Sequence, residues 1–264
     1  MTVKIGLVGT GTVGGGCLDI YNKHKDDFKH HYGIDIELVR VCSLNKEEAD
    51  AHGVGHLFTS DFNEIINDPE IDLVIELIGG TGVAHTIVTN ALKAGKYVVT
   101  ANKALMATAG EEIFQLADEA GVEIAFEASV GGGIPIIDPM KHSLISNEIS
   151  SVLGIVNGTT NYMLTRMDKE GIPYDEVLAD AQAKGFAEAD PTADVDGFDA
   201  AAKIAILASI AFNSRVVLDD VSTEGIRNVQ PIDLKTAHDM GLSSSCLPSR
   251  TVRTRALTCA CIPR

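Results

Sequence analysis

An α/β fold, with a parallel sheet in the first half and a smaller α+β domain behind it, is predicted by three features of this 264-residue chain. Up to about residue 130, short β-branched runs alternate with helical stretches of roughly ten to fifteen residues, the pattern of βαβ units. The first of those runs closes on a glycine-rich turn that opens a helix. Beyond residue 133 the alternation gives way to longer helical segments and fewer strands.

The elements follow in order. Residues 3–9, "VKIGLVG", form a short apolar run closed by glycine, a buried strand. An amphipathic helix is expected from about residue 13 to 25, a second strand over 36–44 and a third over 71–80. Residues 86–95 read as a helix that stops at its glycine, and 96–102 as strand. Helix over 111–121 and strand over 122–130 complete the first domain, residues 1–133. In the second domain, residues 134–241, "ISSVLGIVNGTTNYMLTRM" gives a strand, a turn at Asn157-Gly158 and a helix. A further helix spans 173–185, and a nearly all-apolar run covers 200–212.

Residues 242–264 differ abruptly from what precedes them: no acid, four arginines and three of the five cysteines. Such a break suggests an altered reading frame or an unnatural end; a disordered basic tail is the alternative. This atypical tail carries none of the functional expectations.

Composition excludes several classes of function. The formal charge of −16 argues against a nucleic-acid partner, which requires a basic footprint. No apolar stretch approaches the roughly 18 residues that span a bilayer, and the start lacks the pattern of a signal peptide. Cys17, Cys42, Cys246, Cys259 and Cys261 form no CxxC pair and no metal-ligand spacing. An odd, unframed set suits a reducing compartment, so the cytoplasm is expected.

"GTGTVGGG", residues 9–16, sets Gly9, Gly11 and Gly14 in GxGxxG spacing between a strand and a helix. Gly9 permits the turn, Gly11 lets backbone approach a pyrophosphate, and Gly14 lets helix pack on strand. A Rossmann-type dinucleotide site is expected over Gly9, Thr10, Gly11, Thr12, Val13 and Gly14, with the phosphates against the N–H groups of the helix start. An acid gripping the ribose of NAD is expected about 20 residues on. The second strand offers Arg40 instead, with Glu37 only at its beginning, which suits the 2′-phosphate of NADP; a surface arginine is the plainer reading.

Lys103 stands just past the end of a parallel strand, where open α/β sheets bind ligands, although loop lysines are commonly solvated. The stretch "GFAEADPTADVDGFDAAAKIAILA", residues 185–208, carries Glu188, Asp190, Asp194, Asp196 and Asp199 ahead of an apolar helix whose one charge is Lys203. Asp199 and Lys203 lie four apart and share a helix face. A buried ammonium must be paired or lose its proton, and Asp199 supplies the partner. Either a purely structural ion pair or a positioned proton donor fits that pattern.

Together "GLVGTGTVGGG", "VVTANKAL", "FEASVGGGIPII", "NGTTNYMLTRM" and "GFAEADPTADVDGFDAAAKIAILA" resemble, in order and over roughly residues 3–240, the homoserine dehydrogenases. The resemblance implies reversible NADPH-dependent reduction of L-aspartate 4-semialdehyde to L-homoserine, in threonine, methionine and isoleucine biosynthesis. It implies that Lys203 donates the proton, that Lys103 lies beside nicotinamide and substrate, and that Glu188, Asp194 and Asp199 bind substrate. Thr10, Val13, Arg40 and Gly185 match cofactor positions. The "EASVGGGI" segment matches a monovalent-cation (Na+) loop, with oxygens from Glu127, Val130, Gly132 and Ile134. NADP(H) is expected over NAD(H), and a homodimer through the substrate domain. Family members continue past "TAHDMG" into more of the substrate domain, so a shortened, poorly stable and weakly active chain is also implied.

Three other readings compete. A semialdehyde or glyceraldehyde-phosphate type dehydrogenase needs a cysteine nucleophile, and no cysteine is placed for that role. A non-catalytic NADP-binding protein has no use for Lys203 on a buried helix. An inactive, truncated dehydrogenase is kept open by the tail.

Overall fold

The computed structural model describes residues 2–240, 244–251 and 257–263. Two compact units divide the chain, Met1–Gly133 and Ile134–Arg264, each with its own core.

The first unit begins with β1 (Thr2–Val8), α1 (Thr12–Tyr32), β2 (Asp35–Cys42), α2 (Lys46–Ala51), β3 (Phe58–Thr59) and α3 (Asn63–Ile66). It continues with β4 (Leu73–Glu76), α4 (Val83–Lys93), β5 (Tyr97–Thr100), α5 (Lys103–Ala120) and β6 (Ile124–Ala125). The six strands form one sheet in the order β3-β2-β1-β4-β5-β6, every pairing parallel. The order reverses at β1, and the crevice beyond the carboxyl ends of β1 and β4 is the ligand position of such sheets. Leu7, Leu18 and Val41 pack α1 onto β1 and β2, each 1% exposed or less.

The observed elements differ from the sequence expectations in several places, among them α5, which begins at Lys103 rather than near residue 111, and β4, which is only Leu73–Glu76. Helix α1 runs on to Tyr32, where Gly33 adopts left-handed φ of 68° and its N–H returns to the Lys29 carbonyl. Residues 45–66 hold α2, β3 and α3, elements too short for hydrophobic periodicity to reveal. The strand expected over 122–130 is only Ile124–Ala125, at the sheet edge, before a 3₁₀ turn over Glu127–Ser129.

The second unit comprises β7 (Ser151–Leu153), α6 (Gly158–Glu170), α7 (Tyr174–Ala183), α8 (Thr192–Val195) and α9 (Phe198–Ala211). β8 (Val221–Thr223), α10 (Pro231–Asp239), β9 (Ser244–Thr251) and β10 (Leu257–Pro263) follow. Their four-stranded sheet has the order β7-β9-β10-β8. The described part of the atypical tail therefore carries the ladder between β7 and β8, antiparallel to β7 and parallel to β8. Residues 241–243, 252–256 and 264 of the tail region lie outside the described residues.

Met163, Leu164 and Met167 of α6 pack with Val177 and Ala181 of α7 and with Val195 and Ile226. Helix α9 is buried along most of its length, through Ala200, Ala201, Ala202, Ile204, Ala205, Ile206, Leu207 and Ala208. Among the described residues no helix is long and apolar enough to cross a membrane.

Candidate active site

The glycine turn after β1 has the shape that its spacing predicts. Gly9 adopts φ of +102°, and a Cβ there would stand 2.8 Å from the Leu77 backbone. A Cβ on Gly14 would stand 1.8 Å from the Gly9 carbonyl oxygen, whereas one on Gly11 would meet nothing within 4 Å. Gly14 thus seats α1 against the turn while Gly11, its N-cap, faces open space. A cradle closed on one side and open on the other fits a pyrophosphate approaching free helix-start N–H groups. Thr12 and Val13 begin α1, both exposed.

Arg40 does not stand free at this site. Its Nη1 donates to Glu64 of α3 at 2.7 Å, and Arg40 lies two residues before the end of β2. The residue that follows β2 is Ser43, 9% exposed, and its Oγ lies 2.6 Å from the hydroxyl of Thr10.

A buried network at the ends of β4 and β5 positions Lys103. Glu76 is fully buried, and its Oε1 accepts the N–H groups of Ile78 and Gly79 while Oε2 accepts the Thr100 hydroxyl at 2.7 Å. Thr100 Oγ1 in turn accepts the Asn102 N–H, and the Asn102 amide donates to the Gly80 carbonyl at 2.6 Å. Asn102 Oδ1 caps α5 by accepting Leu105 N–H at 3.0 Å. Lys103 is therefore the first residue of a capped helix rather than part of a loop. Neither Glu76 nor Asn102 was expected to do this; an Asn followed by a helical pattern is the signal that finds the cap.

In the second unit Asp194, Asp199 and Lys203 converge. Lys203 Nζ donates to Asp199 Oδ2 at 2.7 Å and to the Val156 carbonyl at 2.6 Å. The lysine side chain is 16% exposed and the aspartate 6%, so the pair is withdrawn from bulk water without being sealed. Asp199 sits in the first turn of α9, where the helix favours negative charge. The Asn157 amide donates to Asp194 Oδ1 at 2.7 Å and to Asp199 Oδ2 at 2.9 Å. Its own oxygen accepts the N–H and hydroxyl of Thr160, which fixes the amide's orientation at the start of α6. The turn read at Asn157 is thus also a helix cap and the bridge between two carboxylates.

Gly197, with φ of 85°, precedes α9, and Gly225 packs so tightly that a Cβ would stand 2.2 Å from the Val195 carbonyl oxygen. Asp196 pairs instead with Arg227, which also reaches Thr192. Glu188 is exposed, and its carbonyl accepts Gln182 Nε2 at 3.0 Å. Gly185, φ 75°, lies in the turn after α7. Glu127 and Val130 lie in and just after the 3₁₀ turn, and Gly132 and Ile134 are exposed. Among the described residues no three His, Cys, Asp or Glu side chains gather for a metal.

Strand order and glycine cradle place the first unit in the class of dinucleotide-binding Rossmann-type domains. Family models agree: residues 9–127 match the homoserine dehydrogenase NAD-binding domain and residues 135–257 match homoserine dehydrogenase. The homoserine dehydrogenase of Synechocystis is 48% identical over 241 residues, 91% of this chain and 55% of the relative. That of Bacillus subtilis is 46% identical over 242 residues, 90% of this chain and 55% of the relative. Among solved structures, the Thiobacillus denitrificans enzyme superposes with a TM-score of 0.91 at 41% identity, over 95% of this chain and 58% of that one. A proposed homoserine dehydrogenase from Archaeoglobus fulgidus gives 0.88 at 31%, over 99% and 83%. The chain belongs to the homoserine dehydrogenase family. It spans about half the length of the curated relatives it matches.

Proposed function

We propose that this chain catalyses the reversible reduction of L-aspartate 4-semialdehyde to L-homoserine, a step toward threonine, methionine and isoleucine. The observation that supports it is the withdrawn ammonium of Lys203, aligned by Asp199 and the Val156 carbonyl. When bound, a nicotinamide dinucleotide supplies or accepts the hydride. As negative charge grows on the aldehyde oxygen, the Lys203 ammonium stabilises it and then protonates it. Asp199 and the Val156 carbonyl hold the lysine's orientation before and after that proton transfer. Asp194 and Glu188 supply acidic partners for the substrate's α-ammonium, and Lys103, on its capped helix, serves the nicotinamide end. In the reverse direction a neutral Lys203 accepts the hydroxyl proton.

The fit of the dinucleotide rests on the Gly9–Gly14 cradle, with Gly185 as a further cofactor contact. For Arg40 as a grip on the 2′-phosphate of NADP(H), the Glu64 carboxylate already at its guanidinium counts against the assignment. A monovalent cation such as Na+ would be held by oxygens of Glu127, Val130, Gly132 and Ile134. An oxygen-only donor set suits a hard cation, and the buried Ser129 hydroxyl, which has no hydrogen-bond partner among the described residues, lies within the same segment. A cytoplasmic homodimer completes the reading.

The test is a spectrophotometric assay of NADH and NADPH oxidation with aspartate semialdehyde, run beside Lys203→Ala. Lys203→Ala is expected to lower kcat by about 10²–10⁴-fold. Equal turnover by both proteins refutes the assigned proton donor. Nucleotide binding without turnover in either favours a non-catalytic dinucleotide-binding chain.

A further inference from the structure

We infer that Thr10, Ser43 and Glu48 form the grip for the adenosine ribose, and that this grip selects NAD(H) over NADP(H). The inference rests on the dinucleotide reading of the first unit. Backbone geometry brings the three together: Gly9 N–H donates to the Cys42 carbonyl at 2.9 Å, stitching the glycine turn to the end of β2. The next residue on each strand, Thr10 and Ser43, therefore lie side by side, 4% and 9% exposed. Glu48 of α2 lies 2.5 Å from the Thr10 hydroxyl and 3.3 Å from that of Ser43, both through Oε2. Two hydroxyl protons are shared among three contacts, and the carboxylate, with no proton to give, is the acceptor in which the network ends.

The second carboxylate oxygen, Oε1, has no protein partner among the described residues. A carboxylate with an open oxygen at the end of β2 is complementary to a ribose diol, which offers two O–H donors. It is not complementary to a 2′-phosphate, which brings about −1.5 to −2 of charge to the same place. Among the described residues no cation joins the network. Arg40 is held by Glu64. Lys46 precedes Glu48 by two on α2, a spacing that turns the two side chains to different faces.

Leu44, directly after Ser43, is fully exposed, although β2 before it ends on two buried residues. One exposed leucine alone carries no meaning; beside a ribose grip it offers an apolar face to an adenine. The acid was missed in the sequence because it was sought at the end of the strand. It stands on the following helix, 38 residues past Thr10.

The experiment measures dissociation constants of NADH and NADPH for the full chain by calorimetry, without substrate. NADH is expected to bind about tenfold or more tightly than NADPH, the scale of one charged hydrogen bond. Glu48→Gln, at an exposed position compatible with folding, is expected to narrow that ratio. Leu44→Ala is expected to weaken both nucleotides alike. NADPH binding as tightly as NADH, or a ratio unmoved by Glu48→Gln, overturns the inference. Binding of neither nucleotide overturns the dinucleotide reading and this grip with it. Tight, Glu48-dependent NADH binding without reduction of aspartate semialdehyde removes the proposed reaction and leaves the grip standing.

Discussion

The amide nitrogen of Asn157 stands 2.9 Å from the carboxylate of Asp199, across 42 residues of chain, and 2.7 Å from that of Asp194. One neutral side chain thereby bridges two acids that would otherwise repel beside Lys203. Asn157→Ala is expected to lower stability by about 1–3 kcal/mol, since Thr160 N–H and both acids lose a partner. It should also lower kcat by roughly tenfold or more, because Asp199 would no longer be held where it orients Lys203. Steady-state kinetics and denaturant unfolding check both; an unchanged kcat would show that Asn157 serves the fold alone.

Lys203 and Asp199 separate structure from chemistry in a double variant. Lys203→Met leaves Asp199 buried without its cation, which is expected to cost about 3–5 kcal/mol of stability. Adding Asp199→Asn should recover most of that loss, because no uncompensated charge then remains. Activity should stay absent. Recovery of turnover with stability would mean that the ion pair only supports the fold.

The glycine turn offers a paired comparison. Gly14→Ala drives a Cβ to 1.8 Å from the Gly9 carbonyl oxygen, where only backbone can give way. About 1–3 kcal/mol of destabilisation or more is expected. Gly11→Ala has open space around its Cβ and should melt like the parent, yet bind nucleotide more weakly because the methyl occupies the phosphate approach. Thermal melts with and without NADH distinguish the two.

A carboxylate on α7 gives the chain an acid-sensitive contact. Asp180 receives the Tyr162 hydroxyl, Lys184 at 2.9 Å and Arg166 at 2.5 Å. The hydroxyl bond from Tyr162, then that from Lys184, holds its pKa below the ordinary carboxylate value. A folded-state pKa below the unfolded one contributes stability above the unfolded value, about 4, and loses it as pH falls through the folded value. The difference in Tm between parent and Asp180→Asn should therefore be largest near neutrality and shrink below about pH 4. A constant difference down to pH 2 would contradict it.

The sequence displayed the dinucleotide cradle and α9 because each rests on a local pattern. GxGxxG follows a strand and precedes a helix, and Lys203 interrupts an otherwise apolar run. Asn157, Glu76 and Glu48 were not legible, because their roles depend on partners brought near by the fold. Glu76 sits in an apolar strand, where only the loop N–H groups and Thr100 explain a carboxylate. The partner of Arg40 was hidden for the same reason: Glu64 is 24 residues away on a short helix that no periodicity revealed. Composition at residue 242 gave no sign that the following segments pair as strands with β7 and β8.

An ammonium has three N–H bonds, and Lys203 commits two of them to Asp199 and the Val156 carbonyl. The remaining one is aimed before any guest arrives, so the side chain acts as a directional tool rather than a diffuse positive cloud. Arginine, with its donors spread over a rigid plane, could preserve the charge at this position and still lose the trajectory.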